Sequence, residues 1–443
     1  MSRNARTGTA LAAVLILAAP VLWAGGRGEG SVPEGPAEIV AWLRGGPGGV
    51  EWFERNAQEY MEAHPQVTLR MEHQGGSHSD YGAKLRLSHR AGTGPDIIHE
   101  PHDVNLTSLM SAGFTAPAPD YIVAIIEEET IAQNALMFQH LDGDPEKPIH
   151  AALITWQCQQ YLYNRDYLVE AGLPERGAAD RDEFRDWARK LTVRDANGNM
   201  VRAGYTFKMP NPHWHMSPWV FGAGGTYLNA DQTAAAVTTP EGRAAWERAM
   251  RYIYDITWED GSGDFGAGNP RELFWNGDVA IHAEGIYEIA HLHRNAPELD
   301  YILDNIPKDT YSSPVCAVGG ISVSSKSENP EVAWDFLRFS LQPERHKTLF
   351  DPKSESQLSP YKTTAELVAH DHPAWETFLQ QPNRRLRMQG LGANEAWQEV
   401  GRAVEAYLSQ AKSLDQSLDD LAAAFDKIME DRPIRELPIT YEE

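Results

Sequence analysis

Two strand-to-helix stretches that lie far apart in the sequence constrain the fold more than any other feature. In the first, residues 151–174, the β-rich run Ala152–Trp156 leads through an aromatic segment into a turn, Tyr163–Asp166. A helical pattern follows, and Gly172 and Pro174 are signals that end a helix. The pattern predicts a strand that delivers the chain into a helix.

The second stretch, residues 315–341, repeats this arrangement much later in the chain. A strand that carries Gly319 and Gly320 precedes a helix for which Asn329 is the predicted N-cap and Pro330 occupies the first helical position. Apolar residues then recur at helical spacing and give that helix a buried face. Two such connectors predict a chain that crosses from one lobe to another and later returns.

Length and composition agree with two lobes and narrow the choice of partners. The chain has 443 residues, of which 42% are hydrophobic, which is enough for two separate cores. It carries 39 Lys and Arg against 63 Asp and Glu, a formal charge of -24, and no basic patch stands out. We therefore predict no nucleic-acid partner. The 13 Trp and 16 Tyr need either a core to fill or a flat ligand face to cover.

Residues 1–24 have the pattern of a secretory signal peptide. Arg3 and Arg6 form a positive region, and Ala10–Val21 is an apolar run too short to span a bilayer comfortably. An uncleaved membrane anchor is the alternative. No cysteine lies near the expected cleavage site, so we predict no acylated-cysteine anchor. Residues 25–36 then form a tether rich in Gly, Pro and Glu.

The two cysteines of the chain, Cys158 and Cys316, lie one in each connector. An exported protein can hold such a pair as a disulfide, and crossing strands that are neighbours would bring the two Cα atoms within reach. Two buried thiols are the alternative, because the sequence does not fix the geometry.

The residues after the tether alternate between strand and helix patterns. Glu38–Trp42 is an apolar strand, a helix with one apolar face follows, and Gln66–His73 alternates as a strand does. A third strand follows the turn Gly94–Asp96. This order predicts an α/β lobe with a mostly parallel sheet, whose ligands bind outside the carboxyl ends of the strands. Those ends carry Arg44, His73, Gln74 and the run His99–Asp103.

Several short motifs follow one another in an order that is typical of one family. They are Gly94–Ile97 with Ala112–Gly113, Tyr163–Asp166 with Ala171–Leu173, Asp182–Phe184 opening a helix to Leu191, Phe274 with Gly277 and Ala280–Ile281, and Gly319–Gly320 with Asn329–Glu331 and Trp334–Leu337. With these motifs the chain resembles the extracellular solute-binding proteins of ABC importers, in the carbohydrate-binding branch that includes maltose-binding protein. Each motif alone is weak, but five in family order behind a signal sequence are strong. The resemblance covers nearly all of the mature chain.

The resemblance implies a type II periplasmic-binding-protein fold, in which crossing strands join two α/β lobes and the ligand binds in the cleft between them. It implies an N-terminal lobe of residues 37–153 and 318–350, and a C-terminal lobe of residues 157–315 and 351–435. The amphipathic segment Glu395–Met429 is predicted to be a helix that wraps the lobes. Hinge bending would close the cleft over the ligand.

Position by position, the resemblance assigns ligand contacts to particular polar side chains. Arg44 follows the first strand, where the family has a polar contact, and Asp103 matches an aspartate that binds sugar hydroxyls. Gln157 lies beside the hinge at a carboxylate position of the family. The aromatic residue before the His-Asp pair of maltose-binding protein is Glu100 in this chain. This departure argues against maltose itself and for a ligand with more hydrogen-bond donors.

Three aromatic residues, Trp214, Tyr287 and Trp397, match the positions at which the family stacks side chains on sugar rings. A pyranose has apolar C–H faces and a polar rim, so aromatic rings cover its faces while polar groups satisfy its hydroxyls. For each ring, packing in the core is the alternative. The complete predicted ligand-binding set is Arg44, Gln74, Asp103, Gln157, Trp214, Glu284, Tyr287, Gly319, Gly320 and Trp397.

His213 and His215 are spaced as a metal pair can be, but no third ligand at helical or hairpin spacing completes a site. We therefore predict no metal and no cofactor. No nucleophile elbow, phosphate loop or catalytic Cys-His signature occurs in the sequence, so we predict no catalytic residues.

The predicted function is the substrate-binding component of an ABC importer, which captures a sugar or oligosaccharide and delivers it to permease subunits in the inner membrane. We expect a soluble monomer in the periplasm, since no anchor retains it elsewhere. One alternative is the same fold with a non-sugar solute, such as a glycerol phosphate ester, a peptide or a metal species. Another is a secreted carbohydrate-active enzyme, for which Glu100 or Asp103 with Glu284 is the candidate carboxylate pair.

Overall fold

The computed structural model describes residues 35–207, 212–263, 268–351, 357–368, 374–380 and 384–437. The predicted signal peptide, residues 1–24, and nearly all of the predicted tether, residues 25–36, lie outside this part of the chain. Within it, we find no helix whose length and apolar character would let it cross a membrane.

The strands alternate with helices in the first part of the chain and become longer towards its middle. They are β1 (Ala37–Leu43), β2 (Val67–His73), β3 (Ile97–Glu100), β4 (Ala152–Asn164), β5 (Val193–Arg194), β6 (Met200–Tyr205), β7 (Val279–Gly285), β8 (Tyr301–Asp304), β9 (Val315–Val323) and β10 (Arg385–Leu386).

The helices connect these strands and form the C-terminal end of the described chain. They are α1 (Pro47–Ala63), α2 (His78–Ala91), α3 (Asp103–Ser111), α4 (Asp120–Glu129), α5 (Gln133–Gln139), α6 (Arg165–Glu170), α7 (Arg181–Leu191), α8 (Pro212–Gly222), α9 (Pro240–Tyr254), α10 (Pro270–Asn276), α11 (Glu288–Asn295), α12 (Pro330–Ser340), α13 (Pro343–His346), α14 (Lys362–Val368), α15 (Trp375–Gln380), α16 (Ala393–Leu408) and α17 (Leu414–Met429).

The described strands form one mixed sheet in the order β2-β1-β3-β9-β4-β7-β6-β5, with β10 beside β9 and β8 beside β4. Strand β1 is parallel to β2 and β3, and β6 is parallel to β7. The pairs β3–β9, β9–β4 and β4–β7 are antiparallel. Each half of the sheet thus contains parallel strands, and antiparallel strands join the halves. The predicted two-lobe α/β class is confirmed.

Strands β4 and β9 carry the chain between the two halves of the sheet. Strand β4 pairs with β9 from Ala152 to Cys158, and then with β7 from Gln159 to Tyr163. Strand β9 pairs with β3 through Gly320–Val323. These strands are the two connectors of the sequence, and each takes hydrogen-bonding partners from both halves.

A disulfide joins the crossing strands. Cys158 lies opposite Cys316 in the register of β4 and β9, and the two side chains are bonded rather than present as thiols. The bond links positions that are 158 residues apart in the sequence. It lies at the point where β4 leaves β9 and begins to pair with β7.

Apolar side chains fill a separate core in each half of the molecule. The first core packs β1–β3 against α1, α4 and α12, and it contains the predicted face residues Phe53, Ala57 and Tyr60 of α1. The second packs β4 and β7 against α7, α8, α9, α16 and α17, and it contains Phe184 and Trp187 of α7. Helical spacing of apolar residues therefore predicted the buried faces of both helices correctly.

Two elements differ from their sequence predictions. Strand β4 continues to Asn164, well beyond the predicted run Ala152–Trp156, because β7 and β8 flank its second half and hydrogen bond to its backbone. The predicted helix Glu395–Met429 is two helices, α16 and α17. The second begins at Leu414, and its N-cap is Ser413, whose hydroxyl accepts a hydrogen bond from the backbone N–H of Gln416 in a capping box.

Candidate functional site

A cavity of about 520 Å³ opens where the carboxyl ends of β1, β2 and β3 face the second half of the molecule. This is the edge at which open α/β sheets bind ligands. The described lining residues come from both halves of the sheet and from both crossing strands. They are Arg44, Gly45, His73, Gln74, Gly75, Gly76, Pro101, His102, Gln157, His213, Trp214, Tyr287, Ala317 and Arg387.

Arg44 and Gln74 form the part of the wall that follows β1 and β2. The Nη1 atom of Arg44 donates to the Gly76 carbonyl at 2.7 Å, and Nε2 of Gln74 donates to the Glu72 carbonyl at 3.3 Å. The Lys84 ammonium donates to Oε1 of Gln74 at 2.5 Å. The turns that end the two strands therefore hold both predicted side chains at the cavity.

Arg387 reaches the cavity from the segment after β10, and its side chain is almost fully buried. It forms an ion pair with the carboxylate of Asp103, which has no exposed surface. The guanidinium carbon lies 5.5 Å from the centre of the Trp214 ring and 5.0 Å from that of Trp397. Burial lowers the pKa of Arg387 to about 9, and the charge of Glu100 opposes the shift. The guanidinium therefore stays protonated at neutral pH.

Tyr287 lines the cavity just before α11 and rests on a buried cluster of charged side chains. Its hydroxyl donates to Glu284, whose Oε2 lies 3.3 Å from Nη2 of Arg271. The Nε atom of Arg271 lies 2.6 Å from Oε2 of Glu288. Burial, together with the charge of Glu284, raises the pKa of Tyr287 well above its ordinary value. The phenol is therefore a protonated donor, and Glu284 fixes its orientation from behind the wall.

Several side chains of the wall have buried polar atoms without a hydrogen-bond partner among the described residues. Two of these atoms are Oε1 of Gln157, an acceptor, and Nε1 of Trp214, a donor. A buried polar atom that makes no hydrogen bond costs roughly 1–3 kcal/mol. A bound ligand that supplies both a donor and an acceptor would remove this cost. The two atoms are therefore suited to forming hydrogen bonds with a polar solute.

The structure brings half of the predicted ligand-binding set together. Arg44, Gln74, Gln157, Trp214 and Tyr287 all line this cavity, although they come from five separate segments of the chain. Trp214 is 7% exposed and packs at the border between the cavity and the second core. Its ring therefore both faces the cavity and packs in the core, which were the two alternatives considered for it.

The predicted carboxylates lie behind the wall rather than on it. Asp103 and Glu284 are fully buried and face Arg387 and Arg271, respectively. Glu100 is also fully buried, and its Oε1 accepts a hydrogen bond from the His102 backbone N–H at 2.9 Å. Glu100 does not line the cavity, so this residue does not indicate a donor-rich ligand. All three carboxylates support the wall from behind.

Trp397 was predicted to stack on the ligand, but the structure places it in the second core with no exposed surface. Its ring is edge-on to His213 at 4.4 Å and to Tyr227 at 5.9 Å. The partner ring of His213 lines the cavity, so Trp397 lies one layer beneath the wall. The sequence could not predict that Trp397 lies beneath the wall, because this position depends on how α8 and α16 pack against each other.

Gly319 and Gly320 of β9 do not line the cavity either. A Cβ atom at Gly319 would lie 2.5 Å from Oγ1 of Thr155, and one at Gly320 would lie 2.5 Å from Cδ2 of Leu106. Both contacts are too close for a side chain, so glycine is needed here for the packing of β9 against β4 and α3. The residue of β9 that lines the cavity is Ala317.

The predicted ligand-binding set leaves out several lining residues. His73 ends β2 and His102 follows β3; the sequence placed both at strand ends near the binding edge but did not assign them to the ligand. His213 was considered only as a metal ligand. Arg387 follows the two-residue strand β10, for which no periodic pattern exists, and its place at the cavity depends on pairing of β10 with β9.

The histidine pair is not arranged as a metal site. Burial lowers the pKa of His213 to about 3, so its imidazole is neutral at physiological pH. Nδ1 of His215 lies 3.1 Å from Nε2 of Gln159 within the second half of the molecule. In the described ranges, no three or more His, Cys, Asp or Glu side chains are grouped as metal ligands would be.

Two α/β cores, two crossing strands and a polar, aromatic cavity between them define a two-lobe solute-binding protein. The family model for bacterial extracellular solute-binding proteins matches residues 56–377, which is more than half of the chain. The chain belongs to this family, as the order of its motifs predicted. No curated protein matches the sequence significantly.

Solved structures of three binding proteins illustrate the shared fold. The GacH receptor of Streptomyces glaucescens, solved unliganded and with acarbose, has a TM-score of 0.74 and 16% identity, covering 89% of this chain and 99% of its own. The cyclic alpha-maltosyl-1,6-maltose binding protein of Arthrobacter globiformis has a TM-score of 0.71 and 20% identity, covering 90% and 100%. UgpB of Mycobacterium tuberculosis, solved with glycerophosphocholine, has a TM-score of 0.74 and 15% identity, covering 89% and 98%. At these identities the likeness is one of fold.

Proposed function

We propose that this protein is the substrate-binding component of an ABC importer and that it captures a sugar or oligosaccharide in the cavity between its lobes. The observation that carries the proposal is the composition of the wall. Trp214 and Tyr287 offer aromatic surface for the apolar faces of a sugar ring, and Arg44 and Gln157 offer polar atoms for its rim. Two of the structural neighbours are named for, or solved with, saccharides.

Ligand capture would act through the two crossing strands. A solute that contacts Arg44 after β1 and Trp214 on α8 touches both halves of the sheet, so it binds better when the halves approach each other. Binding therefore favours a closed state, whose surface the permease subunits of the inner membrane would recognise. We place this cycle in the periplasm, after export directed by residues 1–24, with the protein acting as a monomer.

The lobe boundaries of this proposal follow the crossing strands. We assign residues 37–153 and 318–350 to the N-terminal lobe, and residues 157–315 and 351–435 to the C-terminal lobe. The pairing of β9 with β3 on one side and of β4 with β7 on the other supports a division within these two strands. The hinge would lie where β4 pairs with β9.

We propose binding without catalysis. A glycosidase needs two carboxyl groups that flank the scissile bond. The three candidates, Glu100, Asp103 and Glu284, are fully buried, and none of them lines the cavity. A hydrolysis assay on neutral and acidic glycans tests this point directly, and turnover that is lost in the variant Glu284→Gln would contradict it.

A second candidate is a non-sugar solute with a phosphate group. The observation that favours it is the pair of arginines at the cavity, Arg44 and Arg387, and UgpB, which has the same fold, is solved with glycerophosphocholine. The sugar proposal stands first because the described wall also holds two large aromatic rings.

A thermal-shift screen tests the proposal. The purified protein is heated with mono-, di- and oligosaccharides, glycerol phosphate esters, amino acids and divalent metals. A ligand present at a hundred times its Kd stabilises the native state by about 2.7 kcal/mol, which gives a clear rise in Tm. We expect a saccharide to give that rise. Shifts with phosphate esters alone would favour the second candidate, and shifts with amino acids or metals alone would contradict both.

A further inference from the structure

The disulfide between Cys158 and Cys316 lies in the layer directly beneath the cavity. The two half-cystines are opposite each other in the register of β4 and β9, and the next pair along, Gln157 and Ala317, lines the cavity. Successive side chains of a strand point to opposite faces of the sheet. The bond is therefore on the far side of both strands from the ligand, one residue away from two wall side chains.

Strand β10 attaches a third wall residue to the same layer. Leu386 of β10 pairs with Cys316 of β9, and Arg387, the next residue, lines the cavity. Because β10 has two residues, its pairing with β9 determines where Arg387 lies. The position of Cys316 thus affects three lining residues, Gln157, Ala317 and Arg387, which we call the cavity floor.

The disulfide belongs to a cluster of apolar side chains that underlies the wall. Besides both half-cystines, the cluster contains Trp156, Ile286, Val318 and Leu386. Each of these four residues is adjacent in sequence to a residue that lines the cavity. Neither half-cystine has exposed surface, so a reductant reaches the bond only when the strands separate locally. Because protein interiors are close-packed, a displacement in this cluster is transmitted to the wall.

The bond also lies where the two halves of the sheet meet. Strand β4 pairs with β9 as far as Cys158 and with β7 from Gln159 onwards. Reduction would replace the covalent link by contact between two thiols, and the strands would then separate more easily at the point where β4 changes partners. A wall that is fixed before binding loses less conformational entropy when a ligand binds. The disulfide therefore favours ligand binding.

We propose that the disulfide holds the cavity floor in its ligand-binding arrangement, so that ligand affinity depends on the redox state of Cys158 and Cys316. A dithiol reductant converts the bond into two thiols, which takes up two electrons and two protons, while the dithiol becomes a disulfide. The reduced protein keeps its fold and binds the ligand more weakly. The effect on affinity rests on the proposed carbohydrate function, whereas the effect on the floor does not.

Isothermal titration calorimetry on the oxidised and the reduced protein tests the effect on affinity. The probes are cellobiose, lactose, xylobiose and maltotriose, and circular dichroism verifies that the reduced protein is folded. We expect the saccharide that binds most tightly to lose about tenfold in affinity on reduction. The double variant Cys158→Ser with Cys316→Ser is the control, because its affinity should resemble that of the reduced parent and should not respond to the reductant.

The redox equilibrium gives a second readout with the same saccharide. By thermodynamic linkage, if oxidation raises the affinity tenfold, a saccharide that saturates both redox states makes the bond tenfold harder to reduce. For this two-electron couple, a factor of ten lowers the midpoint potential by about 30 mV. Equilibration in mixtures of reduced and oxidised dithiothreitol, followed by alkylation and mass spectrometry, measures the potential with and without the saccharide.

Hydrogen exchange without any saccharide tests the floor itself. On reduction, the backbone amides of residues 155–159, 315–319 and 385–388 should exchange about tenfold faster, because the strands open locally. The amides of helices α1 and α17 should keep their rates. A uniform increase over all of these segments would show a general loss of stability and would overturn the inference.

The remaining outcomes separate this inference from the proposed function. Equal affinity of the oxidised and the reduced protein for a saccharide that binds overturns the inference and leaves the carbohydrate function intact. Complete unfolding on reduction also overturns it, because the bond would then hold the whole fold rather than the floor. Binding of no saccharide in the panel contradicts the proposed function, and hydrogen exchange then decides the inference. Unchanged exchange in the three floor segments overturns it.

Discussion

Arg387 and Asp103 form a buried ion pair directly behind the ligand cavity. The arginine comes from the segment after β10, near the C-terminal end of the chain, and the aspartate is the first residue of helix α3. Neither is more than 5% exposed. The pair therefore joins two distant segments of the sequence at the place where the wall must keep its shape.

Removing one charge of this pair should destabilise the fold strongly. Asp103→Asn leaves the Arg387 guanidinium buried without its partner, which typically costs about 3–5 kcal/mol. Chemical denaturation of the variant and the parent measures the loss. The double variant Asp103→Asn with Arg387→Gln should lose less than the sum of the two single variants, because the residues are coupled. Additive losses would contradict the coupling.

The two tryptophans near Arg387 should respond differently to substitution. Trp397 is fully buried, so Trp397→Ala should cost about 3–5 kcal/mol of stability. Trp214 lines the cavity with an unpaired Nε1, so Trp214→Phe should keep most of the stability and weaken binding of an identified saccharide about tenfold. Unfolding curves and calorimetry measure the two effects. Unchanged affinity in Trp214→Phe would show that its indole N–H does not contact the ligand.

A single methyl group at Gly285 should impair binding. A Cβ atom there would lie 2.5 Å from Oε1 of Gln157 and would also collide with the Tyr287 ring, so both wall side chains must move. We expect Gly285→Ala to weaken binding of an identified saccharide by tenfold or more, measured by calorimetry. Gly35→Ala is the control, because nothing lies within 4 Å of a Cβ at that position. Parent-like affinity in Gly285→Ala would mean that these side chains do not position the ligand.

Stability should decrease as the pH falls below about 6.5. Burial lowers the pKa of His99 and of His213 to about 3, and that of His346 to about 4. The charge of Arg44 adds to the shift at His99. In the unfolded chain these imidazoles take up protons below their ordinary pKa of 6.5, whereas the folded protein keeps them neutral. Each therefore removes about 1.4 kcal/mol of stability per pH unit between 6.5 and its folded pKa.

Denaturation curves at pH 7.5, 6.0 and 5.0 measure this slope. His346→Gln should flatten it, because the variant has one fewer buried imidazole. His293→Gln is the control, since His293 is exposed on helix α11, and its slope should match that of the parent. A parent slope of zero over this pH range would contradict the neutral, buried state of the three histidines.

The disulfide should stabilise the protein through the long loop that it closes. Cys158 and Cys316 are 158 residues apart, and replacing both with Ser should cost about 2–5 kcal/mol. Urea denaturation with and without a thiol reductant measures the loss in the parent. The double-Ser variant should be insensitive to reductant. If the reductant lowered the stability of the parent and of the variant equally, its effect would not come from breaking the Cys158–Cys316 disulfide.

The sequence predicted those features of this protein that depend on residues close to one another along the chain. The spacing of Phe53, Ala57 and Tyr60 in α1 and of Phe184 and Trp187 in α7 gave the buried face of each helix, because side chains three or four apart share one side. The order of strands and helices predicted the two-lobe class. Arg44 and Gln74 were found because the chain direction alone places strand ends at a binding edge.

Only the tertiary structure decided which residues line the cavity and which support it. Trp214 and Trp397 are the same residue type, yet one faces the cavity and the other lies beneath it, because helices α8 and α16 pack in that order. Asp103 follows β3, where a ligand-binding residue is expected. Its carboxylate instead forms an ion pair with Arg387, which lies 284 positions later in the sequence. Such contacts join distant segments, so no local pattern of the sequence encodes them.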